Sequence, residues 1–176
     1  MSAIALFGEA DSSTIHKDAV LSPCGTYRYK LTRHWGDEHA LPFVCLNPST
    51  ADAEIDDPTI RRCMGFARRE GAGGIVVANL YALRTAHPKM LMRHPNPYGP
   101  DNPSHLAYLG TWSSEHNIPI VCGWGAHPAA KPNLVVEVLR FLTASGAKTV
   151  CLGRTGNGSP RHPLYVRADQ PLEPFP

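Results

Sequence analysis

The stretch FVCLNPSTADAEIDDPTIRR, Phe43 to Arg62, joins an apolar run to a helix-like segment through Asn, Ser, Thr and four carboxylates. The run from Leu41 to Leu46 is typical of a strand buried on both faces of a parallel sheet. Asp57 followed by Pro58 predicts a helix start, because Asp caps free N–H groups and Pro is tolerated in the first turn. A strand-to-helix connection needs fewer polar residues than this, so the segment predicts a functional loop.

The apolar-run-and-helix pattern repeats along the chain. Further buried strands are predicted in GGIVVANL, IPIVCGWG and KTVCLG, and helical segments follow Asp57, Asn102 and Lys131. CGTYRYKLTRHW alternates in period two, which is typical of a half-exposed antiparallel edge strand. The order predicts an α/β fold with three α/β/α layers, a central, mainly parallel four-stranded sheet and an N-terminal antiparallel edge strand. We expect one domain over residues 1–176, with 1–20 and 168–176 as peripheral segments.

Composition excludes several classes of protein. The chain has 176 residues and a hydrophobic share of 43%, which suits one globular domain with an ordinary core. It has no apolar run near the roughly 18 residues of a membrane helix and no signal-peptide pattern at its start, so we expect a cytoplasmic protein without a membrane partner. The five cysteines lack Cys-x-x-Cys spacing, so we expect no disulfide framework, no iron-sulfur site and no cofactor.

Unusual polar sequences follow each of the four predicted parallel strands. They are NPSTAD, NLYALRT, GWGAHPAAK and GRTGNGSPRHPLY. Ligands of open parallel sheets bind beyond the carboxyl ends of the strands, so these sequences should meet at one edge. We therefore expect Asn47, Asn79, Trp124 and His162 to share a pocket.

The ordered motifs carry a resemblance to a known family. NPSTAD, DPTIRRC, NLYALR, GWG and PRHPLY, taken in this order, resemble the bacterial and phage family named domain of unknown function 1643. The resemblance extends from about Tyr27 to Val166, nearly the whole chain. The name of that family implies no activity.

The same order is also similar to the uracil-DNA glycosylase superfamily, which implies an α/β/α fold and hydrolysis of an N-glycosidic bond. CLNPS resembles the first catalytic motif of the mismatch-specific branch, with Asn47 positioning the attacking water. RHPLY resembles the closing His-Pro-Ser-Pro motif, with His162 as the catalytic histidine. Ser49 stands where that branch has Gly, and Leu164-Tyr165 replaces Ser-Pro. The substrate-binding residues implied by these motifs and by the adjoining loops are Pro48, Ser49, Thr50, Asn79, Tyr81, Trp124 and Tyr165.

The chemistry supports the same interpretation. Cleavage of an N-glycosidic bond leaves negative charge on the departing base, so a site needs an oriented water, a donor to the base and a stacking surface. Asn47 could hold the water, His162 could donate, and Asn79 offers both a donor and an acceptor to a base edge. The favoured function is thus a DNA glycosylase-like hydrolase acting on a uracil-like or modified pyrimidine.

Two other functions stay open from the sequence. Asp52 and Asp56 could hold Mg²⁺ in a nucleotide- or phosphoryl-transfer enzyme, since Mg²⁺ takes carboxylates together with substrate phosphates. GRTGNGSPRH could bind phosphate through backbone N–H groups in such an enzyme. A non-catalytic binder of nucleotides or nucleic acid could have kept the fold and lost the reaction.

The partner predicted under every interpretation is a nucleic acid or a nucleotide. The net charge of +2 neither requires nor excludes such a partner, and solvated helix faces explain many basic clusters. No oligomeric state is predicted. The candidate phosphate-binding residues are Arg61, Arg62, Arg84, Arg154 and Arg161.

Overall fold

The predicted apolar runs form the middle of a mixed sheet. The computed structural model describes residues 14–176, and this part of the chain contains seven strands and three α-helices. The strands are β1 (His16–Leu21), β2 (Arg28–His34), β3 (Ala40–Cys45), β4 (Gly74–Asn79), β5 (Ile120–Cys122), β6 (Thr149–Cys151) and β7 (Glu173–Pro174). The helices are α1 (Pro58–Arg69), α2 (Asn102–Glu115) and α3 (Pro132–Thr143), with 3₁₀ turns at Pro88–Met92 and Pro163–Tyr165.

The strand order across the sheet is β1-β2-β4-β3-β5-β6-β7. β3 pairs in parallel with both β4 and β5, and β5 pairs in parallel with β6. β1, β2 and β7 join through antiparallel pairings. The predicted mixed α/β class is confirmed.

Two details of the sequence prediction were wrong. The alternating strand β2 is not an edge, because β1 pairs along it from His16 to Leu21 and β4 pairs on its other side. The described sheet therefore has seven strands and not four plus one edge strand. The added edges come from segments predicted as peripheral, since β1 overlaps residues 1–20 and β7 lies within 168–176. Short polar or Pro-containing strands carry little hydrophobic pattern, so periodicity does not reveal them.

Buried side chains form one cluster on each face of the sheet. Val44, Ala78 and Ile120 pack in the cluster that also contains residues of α2 and α3. Their neighbours Phe43 and Val121 pack in the other cluster, which contains residues of α1. Successive side chains of a strand point to opposite faces, so the central strands supply both clusters and read as continuous apolar runs.

Helix α1 begins and ends as its sequence predicts. The Asp57 carboxylate accepts a hydrogen bond from the Ile60 N–H at 2.9 Å, and Pro58 occupies the first turn. Gly71 follows the helix with φ of +76°, a conformation that glycine adopts without strain. The expected inward stripe is buried and comprises Ile60, Cys63, Met64 and Ala67. This stripe fixes the N-terminus of α1 beside the end of β3.

The acidic loop after β3 is held by a buried arginine. Arg33 of β2 is 0% exposed and donates from Nε to the Asp56 carboxylate at 2.7 Å and from Nη2 to the Asp52 carbonyl at 2.6 Å. The Asp52 carboxylate accepts from two N–H groups of its own turn, those of Glu54 and Ile55. Burial pulls the pKa of Asp56 upward, but hydrogen bonds from Arg33 and Lys17 hold it below its ordinary value. The carboxylates of Asp52 and Asp56 therefore stabilise the conformation of the loop itself.

Within residues 14–176, the helices are all too short or too polar to cross a bilayer.

Candidate active site

A cavity of about 570 Å³ lies where the parallel strands end. Asn47 follows β3, Asn79 ends β4, Trp124 follows β5, and the loop after β6 contributes His162. The structure thus brings together these four residues from four separate segments of the chain. Of the other sequence-predicted residues, three also line the cavity, namely Ser49, Arg161 and Tyr165.

The Asn47 side chain is oriented by two hydrogen bonds. Its Nδ2 donates to the carbonyl of Pro48 and to the carbonyl of Thr85, both at 2.8 Å. These two bonds use both hydrogens of the amide, since an NH₂ group has two donors. Oδ1 is left as the atom with which Asn47 can accept a hydrogen bond from a ligand or a water.

The His162 side chain is held in one tautomer by the turn that it starts. Its Nδ1 accepts the N–H of Leu164 at 3.3 Å, so the proton of the neutral ring lies on Nε2. Burial lowers the pKa of His162, and the negative charge of Asp57 opposes that shift only in part. At neutral pH the ring is therefore an uncharged Nε2–H donor in the cavity wall.

The turn that carries His162 is fixed from two sides. Arg62 of α1 donates from Nε to the carbonyl of Pro163 at 3.3 Å and from Nη2 to the carbonyl of Val166. On the other side, a Cβ placed on Gly123 would lie 2.9 Å from Cδ of Pro163, and one on Gly125 would lie 3.3 Å from Cβ of His162. The Gly-Trp-Gly sequence is explained by this close approach, because a larger residue would displace the turn.

Two deeply buried polar side chains in the cavity wall each have a donor atom without a partner among residues 14–176. Asn79 is 1% exposed and Arg28 is 2% exposed, and both line the cavity. Among the described residues, no group accepts a hydrogen bond from Nδ2 of Asn79 or from Nε of Arg28. A buried donor without a partner costs about 1–3 kcal/mol, so a ligand that accepts from these two atoms would recover that cost.

The cavity also contains two opposite charges that do not touch. Burial lowers the pKa of Arg28 to about 10, while the charge of Asp57 opposes this, so Arg28 stays cationic at neutral pH. Asp57 lines the same cavity, and its carboxylate forms no ion pair with any residue between 14 and 176. One Asp57 oxygen caps α1 and the other has no hydrogen bond within this range.

The two aromatic candidates at the cavity differ in accessibility. Trp124 is buried, and its ring meets Phe175 edge to face at a centroid distance of 5.5 Å. Tyr165 is 79% exposed, with its ring centroid 5.7 Å from that of His162. Tyr165 is thus free to stack on a planar ligand at the mouth, whereas Trp124 forms part of the wall.

Several predicted substrate-binding residues lie outside the cavity lining. The Tyr81 hydroxyl donates to the Ala129 carbonyl at 2.8 Å, and its ring belongs to the core. Pro48 is buried and supplies backbone acceptors to Asn47 and to the Thr85 N–H. Thr50 is exposed. These residues support the cavity from behind or lie beside it.

Four of the five candidate phosphate-binding arginines also lie outside the cavity lining. Arg62 is engaged by the His162 turn, as described above. Arg61 donates to the Asp56 carbonyl at 2.6 Å, and Arg84 donates to the Gly25 carbonyl at 3.3 Å. Arg154 donates to the Pro174 carbonyl at 3.0 Å and approaches the Glu173 carboxylate at 3.7 Å. Each of these guanidinium groups donates to the protein itself, mostly to backbone carbonyls, although Nε of Arg84 has no partner among the described residues.

The carboxylates proposed for Mg²⁺ are engaged in the loop. Asp52 and Asp56 do not line the cavity, and both are bound by the contacts of the acidic loop described above. No group of three or more His, Cys, Asp or Glu side chains within residues 14–176 is arranged to hold a metal ion.

Sequence reasoning missed several residues of the cavity. Arg28 was expected on the exposed face of an edge strand, and Asp57 was given only a capping role. The lining also includes Thr59, Thr85, His127 and Thr155. No signal in the sequence marks Arg28, because its side chain contacts the loop after β3, a segment distant in the chain. The place of Asp57 in the cavity could have been predicted from its capping role. A helix that follows a parallel strand begins at the edge of the sheet where ligands bind.

Comparisons with known proteins assign a family without an activity. Neither the curated proteins nor the solved structures contain a match to this chain. The family model described as protein of unknown function (DUF1643) matches residues 28–164, a span that runs from Arg28 to Leu164. The match covers most of the sequence, and the chain therefore belongs to the DUF1643 family.

Proposed function

We propose that this protein is a DNA glycosylase-like hydrolase that cleaves the N-glycosidic bond of a nucleotide in DNA. One observation carries the proposal. An oriented acceptor, Asn47 Oδ1, and an oriented neutral donor, His162 Nε2–H, line the same cavity as the unpaired amide of Asn79.

The reaction needs little beyond these groups. Water adds to the sugar C1′ and loses a proton, the C1′–N bond breaks with its electron pair on the base, and the base takes up a proton. Asn47 Oδ1 would hold the water, and His162 Nε2–H would stabilise the negative charge on the departing base. A neutral donor suits this role, because a charge that develops in the transition state is stabilised by a prearranged dipole.

The fold and the surface are compatible with this proposal. The two core clusters, one with α1 and one with α2 and α3, support a three-layer α/β/α arrangement of the uracil-DNA glycosylase type. The four parallel strands ending at the cavity support the same arrangement. Arg161 and the exposed Tyr165 at the cavity favour a flipped nucleotide of a nucleic acid as the ligand. We expect the protein to act in the cytoplasm.

The Mg²⁺-dependent alternative receives less support. Its two carboxylates, Asp52 and Asp56, are committed to the acidic loop and are not part of the cavity lining. The non-catalytic alternative predicts the same cavity and the same binding without release of a base.

The test is a screen for base release in the presence of EDTA. Purified protein is incubated with single-stranded and duplex oligonucleotides that carry uracil, mismatched or modified pyrimidines, and normal bases. We expect a free base and an alkali-labile abasic site, with the same yield with and without EDTA. Activity only with added Mg²⁺ would support the phosphoryl-transfer alternative, and binding without release would support the non-catalytic one.

A further inference from the structure

We propose that the cavity selects a base that carries both an exocyclic amino group and two adjacent acceptors, as cytosine and guanine do. The selecting residues are Arg28, which lies outside the ordered family motifs, and Asp57, which begins the motif DPTIRRC. The inference deepens the proposed function, because it names the substrate class of the same cavity.

Arg28 presents a free pair of donors. Its Nη1 is bound to the carbonyl of Ala51, and in the described part of the chain neither Nε nor Nη2 has a hydrogen-bond partner. Nε–H and one N–H of Nη2 point in parallel on one side of a guanidinium, so together they fit two adjacent acceptors on a planar ligand. Arg28 is 2% exposed and its Nε is shielded from solvent, so bulk water does not satisfy this donor.

Asp57 presents the complementary acceptor. Its free carboxylate oxygen lies in the same cavity as Arg28, without an ion pair between the two groups. Two opposite charges that share a cavity without contact suit a ligand that spans them, with donors toward the carboxylate and acceptors toward the guanidinium. Such a ligand can be neutral overall, because the two charges of the site balance.

Only some bases have this pattern. Cytosine has the amino group N4 beside the adjacent acceptors N3 and O2, and guanine has N1–H and the amino group N2 together with the acceptors O6 and N7. Uracil and thymine have two carbonyl oxygens separated by an N–H and have no amino group, so an oxygen would face Asp57. Adenine has an amino group but no adjacent pair of acceptors.

The cavity is large enough for a nucleoside of either cytosine or guanine. A volume of about 570 Å³ is within the range of about 300–1,000 Å³ typical of small-molecule sites, so a pyrimidine and a purine nucleoside both fit. The amide of Asn79, with its unpaired Nδ2, adds a further donor at the same edge. The experiment therefore compares cytosine and guanine directly.

The test measures binding of free nucleosides, which needs no turnover. Cytidine, guanosine, uridine, thymidine and adenosine are titrated into ¹⁵N-labelled protein, and Kd is obtained from the shifts, including that of the Arg28 Nε–H. We expect cytidine or guanosine to bind at least about tenfold more tightly than uridine and thymidine, the scale of one charged hydrogen bond. The Arg28 Nε–H should shift on binding and the Arg33 Nε–H should not.

Asp57→Asn is the decisive variant, because Asn is as good a helix cap as Asp and keeps α1 intact. Its amide can donate to the uracil oxygen, so the preference for cytidine or guanosine over uridine should be lost or reversed. Arg28→Lys, which keeps the charge but not the paired donors, should weaken both preferred nucleosides by about tenfold or more. Asp169→Asn, a surface change in a residue that is not part of the cavity lining, should change nothing.

Equal binding of all five nucleosides, a preference for uridine, or no nucleoside binding by the folded protein would overturn the inference. Base release from the oligonucleotide screen reports separately on the proposed function. Selective nucleoside binding without release would leave the selectivity standing and reject the glycosylase. Release of uracil in preference to cytosine and guanine would support the glycosylase and reject the proposed selectivity.

Discussion

Strand β2 carries two buried arginines with opposite environments, Arg33 at one end and Arg28 at the other. Arg33 is fully buried, and each of its three nitrogens donates to a partner in β1, β2 or the acidic loop. Arg28 is buried to nearly the same extent, yet within residues 14–176 only its Nη1 has a hydrogen-bond partner. The two residues lie on the same strand, have the same side chain and are buried to nearly the same extent.

The difference separates a structural arginine from a ligand-binding one. A buried guanidinium is stable when its donors are all paired, and the partners of Arg33 complete the loop after β3. Arg28 lines a cavity whose other walls hold Asn47, Asn79 and His162. Burial alone therefore does not identify function, and the unpaired donors beside the cavity are what distinguish Arg28 from Arg33.

The largest expected effect separates the two arginines by stability. Arg33→Met should lower the free energy of unfolding by about 3–5 kcal/mol, because it removes the buried partner of Asp56 and leaves several carbonyls without their donor. Arg28→Met should change it by less than about 1.5 kcal/mol, because the removed donors were mostly unpaired. Urea unfolding followed by circular dichroism measures both values. Equal losses for the two variants would remove the distinction.

The next effect tests the catalytic end of the cavity. His162→Ala should lower the rate of base release by about 10²- to 10³-fold, the scale of one lost anion-stabilising donor, while binding changes little. His162→Asn keeps a donor and should recover part of the rate. Undiminished release by the alanine variant would exclude His162 from the reaction, and His116→Ala, away from the cavity lining, serves as the matched control.

A smaller effect concerns pH. Burial lowers the pKa of His162 below its ordinary value of 6.5, so the neutral donor persists into mildly acidic solution. The rate should stay constant from pH 8 to about 6.5 and fall only below it, as the ring gains a proton. The unfolded state binds that proton more readily, so acid also weakens the fold, and circular dichroism at each pH separates the two effects. A rate that rises below pH 6 would indicate an imidazolium donor.

The smallest effect concerns phosphate contacts. Arg161 lines the cavity and donates to the protein only from Nε, to the Arg154 carbonyl at 3.0 Å within residues 14–176, whereas Arg62 donates from two nitrogens to carbonyls of the His162 turn. Arg161→Gln should reduce the slope of log Kd against log salt for single-stranded DNA by about 0.7, the value for one phosphate. The slope for Arg62→Gln should equal that of the wild type, although its rate of base release should fall as the turn loosens. An unchanged slope for Arg161→Gln would show that Arg161 does not contact a phosphate.

The sequence predicted the parts of the molecule that depend on local pattern. The strand β3, the cap at Asp57 and the inward stripe of α1 follow from spacing and side-chain chemistry alone. The meeting of Asn47, Asn79, Trp124 and His162 follows from the rule that parallel strands end at one edge. These features need no knowledge of distant pairing.

The parts that were missed depend on contacts between distant segments. Arg28 looked exposed in an alternating strand, yet its side chain is buried and donates to the Ala51 carbonyl in the loop after β3. Arg62 looked free to bind phosphate, yet carbonyls about a hundred residues further along the chain accept its donors. Tyr81 looked like a stacking residue, yet its hydroxyl is bound at Ala129. Sequence pattern gives the type of a side chain but not the partners that it meets.

The most direct test is a crystal structure with an oligonucleotide that the protein can bind but not cleave. A cytosine or guanine nucleotide with fluorine at the sugar 2′ position resists loss of the base and keeps its hydrogen-bonding edge. We predict the base in the cavity, with Arg28 Nε and Asn79 Nδ2 both bonded to it, Asn47 Oδ1 beside C1′, and Arg33 unchanged. A base bound elsewhere, with Arg28 and Asn79 still unpaired, would contradict the account.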